Sequence, residues 1–298
     1  MNLPLASRAV RSAKAALVGL VGLSKPWIIA LLLITTWAGM FLGMRGTPPV
    51  GLFLLTTLGG TLAAAGANAI NSYLDRDIDG RMNRTARRPL PSGRVAPRRA
   101  LTYGIAATLG SVLVLGLGVN WLAAGLALLG NLYYVLVYTL WLKRKTPLNI
   151  VIGGAAGAIP PLVGWAAATN RVDLLGVFLF LIVVYWTPPH TWALAILLRG
   201  DYQRVSVPML PVVAGEEETR RQVWLYSLQM VAMSLLPIGF HLLGGFYFLV
   251  ASGLGLAFLR EAWQLRFGGE KGSARKVYRF SQVYLALLFL AMVIDRLI

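Results

Sequence analysis

The chain has 298 residues, 57% of them hydrophobic and 13% charged, with no cysteine and a formal net charge of +17. Soluble domains carry roughly 25% charged residues, so an ordinary water-soluble globule is excluded, and the lack of cysteine excludes disulfides, thiolate metal centres and a thiol nucleophile. A basic surplus often marks nucleic-acid binding, but here Lys and Arg fall between apolar runs of membrane-spanning length, which points to a lipid bilayer and to no nucleic acid.

Residues 1–23 combine Arg8, Arg11 and Lys14 with a short apolar stretch, Ala15 to Leu23. That is the outline of a signal peptide without a cleavage site, and it predicts a cytoplasmic N-terminal segment forming an interfacial helix; a short transit peptide is the alternative. Residues 24–298 read as a single transmembrane domain. Nine apolar spans are predicted, at about 26–44, 50–72, 100–118, 121–141, 148–168, 173–198, 222–241, 243–260 and 280–296. The fold class is therefore all-α, a polytopic membrane protein. With nine spans, 25 Lys and Arg fall on one side and Arg45, Arg171 and Arg296 on the other. The positive-inside rule then places the N-terminus in the cytoplasm and the C-terminus outside.

The longest connections on the basic side, 73–99 and 199–221, also hold acidic residues: Asp75, Asp77 and Asp79 in one, Asp201 and Glu216 to Glu218 in the other. Each follows an even-numbered span, which suggests a duplicated four-helix unit with the two loops facing each other. Glycine-rich stretches such as Gly153-Gly-Ala-Ala-Gly157 read as close helix packing.

Asn71, Asp75 and Asp79 stand at i, i+4 and i+8, a spacing that puts them on one helical face. The chain has only 11 acidic residues, and three of them crowd into positions 75–79. Such carboxylates repel one another and cost free energy unless a cation compensates. Oxygen donors suit Mg2+, which keeps waters and is completed by substrate phosphates. Asn71, Asp75 and Asp79 are therefore the candidate catalytic and metal-binding residues. The basic run behind them, with Arg81, Arg84, Arg87 and Arg88, can grip phosphate oxygens bidentately, although basic residues there also set topology and meet lipid headgroups. Asp77 lies off this face, with Arg76 or Arg81 as its expected partner.

Asn71-x3-Asp75-x3-Asp79, followed by Arg84-Thr-Ala-Arg-Arg-Pro-Leu-Pro-Ser-Gly93, resembles the signature of the UbiA superfamily of intramembrane prenyltransferases. Ser24-Lys-Pro26 and the basic turn Tyr138-Thr-Leu-Trp-Leu-Lys-Arg-Lys-Thr-Pro147 fit the same pattern. The blocks 153–165, Trp186-Thr-Pro-Pro-His-Thr-Trp192, Asp201-Tyr202 and 207–213 are similar to its haem-farnesylating branch. The likeness runs over roughly residues 20 to 225.

The resemblance implies a UbiA-type bundle with a central cavity open to the cytoplasmic side of a bacterial cell membrane, a prenyltransferase domain over 24–298, and Mg2+ as cofactor. It implies farnesyl diphosphate as donor and haem B as acceptor, giving haem O, with a later haem-modifying enzyme or a terminal oxidase as a candidate partner. Carried over by position, Asn71, Asp75 and Asp79 are metal ligands, and Arg84, Arg88, Lys143 and Lys25 contact diphosphate. The tyrosine that often lies four residues before the lysine falls on Thr139, with Tyr138 one position earlier. The second acidic motif is reduced to Asp201, either a further metal ligand or a partner of Arg199 or Arg204.

His190, Trp186 and Trp192 are the haem-site candidates. Two prolines before His190 free local backbone groups and kink its helix. The imidazole either ligates iron, positions the porphyrin or is a hydrogen-bonded structural histidine. His241 reads as structural. The competing readings are a prenyltransferase for an aromatic or quinone precursor, a cation-coupled transporter and a purely structural haem-binding protein.

Overall fold

Apolar runs of about 20 residues can hide their backbone polar groups in lipid only by coiling into helices or closing a barrel. The computed structural model describes residues 18–268 and 273–298, and the helical solution prevails, with no strand among the described residues. The long helices are α1 (Pro26–Met44), α2 (Val50–Leu74), α3 (Pro97–Gly118), α4 (Trp121–Leu142), α5 (Asn149–Thr169), α6 (Leu174–Leu197), α7 (Gly215–Gly239), α8 (Gly245–Phe267) and α9 (Ser273–Leu297). The expected interfacial segment falls largely on residues 1–17, outside the described residues; residues 18–24 are helical.

Among the described residues, eight helices are long and apolar enough to cross a membrane. The exception is α7, whose first turns carry Glu216, Glu217, Glu218, Arg220 and Arg221. The span expected at 222–241 corresponds to the more apolar remainder of that helix. Likewise α8 runs on to Phe267 and α9 starts at Ser273, each seven residues beyond the apolar window. Hydropathy marks where lipid ends, whereas backbone hydrogen bonding lets a helix continue into the charged interface.

Helices α1 to α5 form one group, with α2 against α3, α3 against α4, α4 against α5 and α5 against α1. Helices α6 to α9 form the other, and α5–α6 and α1–α9 contacts join the two. The α1–α5 crossing depends on glycine: a Cβ at Gly39 would collide with the Pro161 carbonyl, and one at Gly164 with the Thr36 carbonyl. Proline starts α1 and α3 at the position where no donor is lost. Asn120 caps α4 by accepting from Ala123 N at 2.8 Å, and Asp295 of α9 accepts from Gly244 N and Tyr247 N at the head of α8. His241 sits in a left-handed turn (φ 54°) between α7 and α8, at the opposite end of α7 from Glu216, Glu217 and Glu218. Exposed Leu109, Leu113, Leu117, Leu249 and Leu256 give the bundle an apolar outer surface suited to lipid.

Candidate active site

Helix α2 stops at Leu74, because Asp75 (φ −88°, ψ 5°) leaves the helical region before the short turn Arg76–Asp79. The ladder nevertheless continues through the break, with Asp75 N donating to Asn71 O at 2.9 Å and Asp79 N to Asp75 O at 2.8 Å. Asn71, Asp75 and Asp79 therefore stay on one side and are buried, while the Asp77 side chain is 54% exposed. Arg144, not Arg76 or Arg81, is the partner of Asp77, through two 2.7 Å hydrogen bonds that hold its carboxyl below the usual range. Arg76 instead donates to Tyr73 O and lies over that ring.

The buried acids meet cations from other segments. Lys143, at the end of α4, donates a short hydrogen bond to Asp75 Oδ2, which also accepts from Asn71 Nδ2 at 2.8 Å. Asp75 Oδ1 is buried with no hydrogen-bond partner, and Arg144 stands 3.6 Å from it. Arg88 Nη1 donates to both oxygens of Asp79, at 3.2 and 2.9 Å. Lys25 Nζ donates to Asn71 Oδ1 at 2.9 Å. Burial, and then the neighbouring Arg88, push the Lys25 ammonium down to about 7. Lys25 also holds a left-handed backbone (φ 55°) immediately before Pro26, where a residue preceding proline normally takes an extended form. Strain of that kind gathers at functional sites.

The end of α4 accounts for the displaced tyrosine. Residues Tyr133–Leu142 are π-helical, and Lys143 N donates to Tyr138 O, five residues back, at 2.8 Å. In such a turn i and i+5 stack as i and i+4 do in an α-helix. Tyr138 thus lies one helical turn before Lys143, while the Thr139 hydroxyl accepts from Asn71 Nδ2 at 3.1 Å and donates to Tyr134 O.

The second loop folds onto the first. Asp201 accepts from the backbone amides of Asn83 and Arg84, each at 3.4 Å, and from Arg204 Nη1 at 3.2 Å. Of its two expected partners, Arg204 takes the role. Arg84 Nη2 donates to Tyr202 OH at 3.0 Å, and its guanidinium lies 5.3 Å from the centre of that ring. Burial pushes the Tyr202 phenol up, with Arg84 acting in the opposite direction.

Beside the acids lies a cavity of about 350 Å³ walled by α1, α2, α4, α5 and α6, within the range of small-molecule sites. Asn68, one turn before Asn71, and Tyr138 stand at the end nearest the acids, and most of the remaining wall is Ala, Gly, Leu, Ile and Val. Trp186 and Thr187 of α6 line it. The three haem-site candidates separate here. Trp186 faces the cavity and donates from Nε1 to Ser281 O at 2.7 Å. His190 stacks on Trp186 at 4.2 Å, lies 4.9 Å from Tyr278 and bonds Ser281 Oγ through Nδ1 at 2.7 Å. Ser281 Oγ is also 2.7 Å from Tyr278 O and donates to it, so Nδ1 carries the ring proton and Nε2 the free lone pair. Trp192 is buried edge-on against Tyr226 of α7, away from the cavity wall. Helix α6 runs through Pro188 and Pro189 without a break.

Sequence reasoning gave no role to Asn68, Tyr134, Ser281 or Tyr202, the last quoted only as part of a motif. Asn68 and Tyr134 were accessible, one turn before Asn71 and Tyr138 on their own helices. Ser281 lies 91 residues from His190, and nothing in its neighbours marks it.

Among the described residues no three His, Cys, Asp or Glu side chains gather to hold a metal. The donor set still fits Mg2+: Asn71, Asp75 and Asp79 offer oxygens only, Asp75 Oδ1 is a buried acceptor without a donor, and a site with two carboxylates leaves room for substrate phosphate and water.

The family model described as the UbiA prenyltransferase family matches residues 32–292. A protoheme IX farnesyltransferase from Roseiflexus sp. (strain RS-1) is 51% identical over 278 residues, which is 93% of this chain and 52% of that protein. One from Trichodesmium erythraeum is 52% identical over 92% of this chain and 84% of its own length. The chain thus spans about half the length of the former relative and most of the latter. Among solved structures, a digeranylgeranylglyceryl phosphate synthase superposes with a TM-score of 0.78 at 20% identity, covering 95% of this chain and 99% of that one. A UbiA homolog from Archaeoglobus fulgidus bound to DMAPP and Mg2+ gives 0.68 at 20% identity over 92% and 99%. A match over most of the chain and a common arrangement of helices lead to one assignment: the chain belongs to the UbiA prenyltransferase family.

Proposed function

We propose that the chain transfers a farnesyl group from farnesyl diphosphate to a vinyl group of haem B, with addition of water, in an Mg2+-dependent reaction. The observation that carries this reading is the meeting of buried oxygen donors with Lys25, Lys143 and Arg88 beside an apolar cavity. The names of relatives about 50% identical support the choice of acceptor.

Asn71, Asp75 and Asp79 would hold Mg2+, which when bound neutralises charge on the departing diphosphate. Lys143, Lys25, Arg88 and Arg84 receive the remaining phosphate charge through preorganised donors. The farnesyl C1–O bond breaks with its electron pair going to diphosphate. C1 then bonds the terminal vinyl carbon, water oxygen adds to the inner vinyl carbon, and that water releases one proton. The apolar wall excludes other water from the allylic cation. Trp186 and His190 orient the porphyrin, with His190 Nε2 as the acceptor or iron-facing atom. Asp201 serves as a clamp between loops and not as a metal ligand.

The charge asymmetry of the sequence supports a site at the cytoplasmic face of a bacterial cell membrane, with the N-terminus inside and the C-terminus outside. The test is to incubate purified protein with haem B, farnesyl diphosphate and Mg2+ and to seek the heavier haem by mass spectrometry. Formation of haem O in the presence of Mg2+ and not of EDTA is expected. An unaltered porphyrin, with farnesyl transferred instead to an aromatic acid added alongside the haem, would refute the choice of acceptor.

A further inference from the structure

Five glycines line the cavity, and they differ in what a side chain there would meet. A Cβ at Gly153 would strike the Tyr138 ring, one at Gly154 would stand 2.8 Å from Thr187 Cγ2, and one at Gly130 would stand 3.1 Å from Ile159 Cγ2. Packing explains those three. A Cβ at Gly157 would have nothing within 4 Å, and one at Gly60 would meet only Leu33 Cδ2, at an ordinary 3.5 Å. Neither has the positive φ that demands glycine. Glycine inside a helix is less favourable than alanine, so these two positions carry a cost that no protein contact requires. What they preserve is space.

Their depths differ. Gly157 follows Gly153 by one turn on α5, whereas Gly60 lies eight residues before Asn68 on α2, about 12 Å further from the acids at 1.5 Å per residue. We propose that Gly157 and Gly60 set the length of isoprenoid this cavity admits, Gly60 at the far end where the last five-carbon unit lies and Gly157 in the side wall. The inference rests on the prenyl-transfer reading above and adds to it the residues that choose among chain lengths.

The test is competition between geranyl and farnesyl diphosphates for haem B, read as the ratio of the two product masses, in the wild-type protein and the variants Gly60→Val and Gly157→Val. Gly125→Val is the control, since a Cβ there also meets nothing within 4 Å but the residue lies off the cavity. Excluding several buried methylenes, at about 0.8 kcal/mol each, should shift the ratio toward geranyl by about tenfold or more in both cavity variants. The control should keep the wild-type ratio. If a variant loses turnover, the relative binding of geranyl and farnesyl thiolodiphosphates gives the same readout. An active wild type with unchanged ratios in both cavity variants, or an equal shift in the control, overturns the inference alone. A wild type that transfers no prenyl group from either donor removes the underlying reading and the inference together.

Discussion

The two acidic loops treat their carboxylates in opposite ways. In the first, Asp75 is buried with one oxygen bonded by Lys143 and Asn71 and the other without a hydrogen-bond donor. In the second, Asp201 is nearly as buried, but both oxygens have donors, from Arg204 and from the amides of Asn83 and Arg84. An acceptor left bare in a low-dielectric site is costly and is ready for a cation. One with a donor on each oxygen, two of them backbone amides of the other loop, acts as a fastening. Acidity and burial alone do not separate a ligand from a clamp; the kind of donor does, backbone amides fixed in the fold at Asp201 and side chains that can turn to another anion, Lys143 and Arg88, at Asp75 and Asp79.

This contrast can be broken in four places. The largest effect is expected at Asp75: Asp75→Asn, or EDTA with the wild-type protein, should lower haem O formation by about 10²–10³-fold. Turnover at the wild-type rate with excess EDTA would place the metal outside the chemistry. Next comes Arg88, whose guanidinium spans Asp79. Arg88→Met should raise the KM for farnesyl diphosphate about tenfold or more, the loss of one charge-assisted contact, while Arg204→Met leaves that KM unaltered. Asp201→Asn should destabilise the fold by about 1–3 kcal/mol, seen as a lower unfolding temperature, without moving the Mg2+ concentration for half-maximal turnover. A marked shift in that concentration would make Asp201 a ligand. The smallest effect belongs to Asp77, whose pair with Arg144 is at the surface. Asp77→Asn should change stability by less than about 1 kcal/mol and leave turnover as it was.

Much of this architecture was legible because lipid leaves the backbone few options. Span positions followed from hydropathy, and the shared face of Asn71, Asp75 and Asp79 followed from helical spacing, even across the break at Asp75. The partners of those acids were less legible. Spacing suggested Arg76 or Arg81 for Asp77, yet Arg144 fills the role from 67 residues away, because chain proximity gives no orientation. Lys143 and Arg88 were expected to face phosphate and instead hold Asp75 and Asp79 here, two destinations that a cation at a metal–phosphate mouth can serve. Trp192, grouped with His190 by its position in the motif, packs toward α7, since a two-residue step turns a helical side chain well away from its neighbour. A central cavity followed from the family resemblance, but its wall could not be read residue by residue, because it is formed by side chains that are small on five helices at once.

The wide turn at the end of α4 has a consequence for comparing proteins of this kind by spacing. One helical residue advances a side chain by about 100° around the axis, so an aligned tyrosine–lysine pair can be one position out of step in sequence and in phase in space. Removing a single residue between 138 and 143 would restore the ordinary i, i+4 pitch and leave the pair in phase, whereas tightening the turn with every residue kept would swing Lys143 off Asp75. Pitch, in this segment, is as much a part of the site as the identity of any side chain.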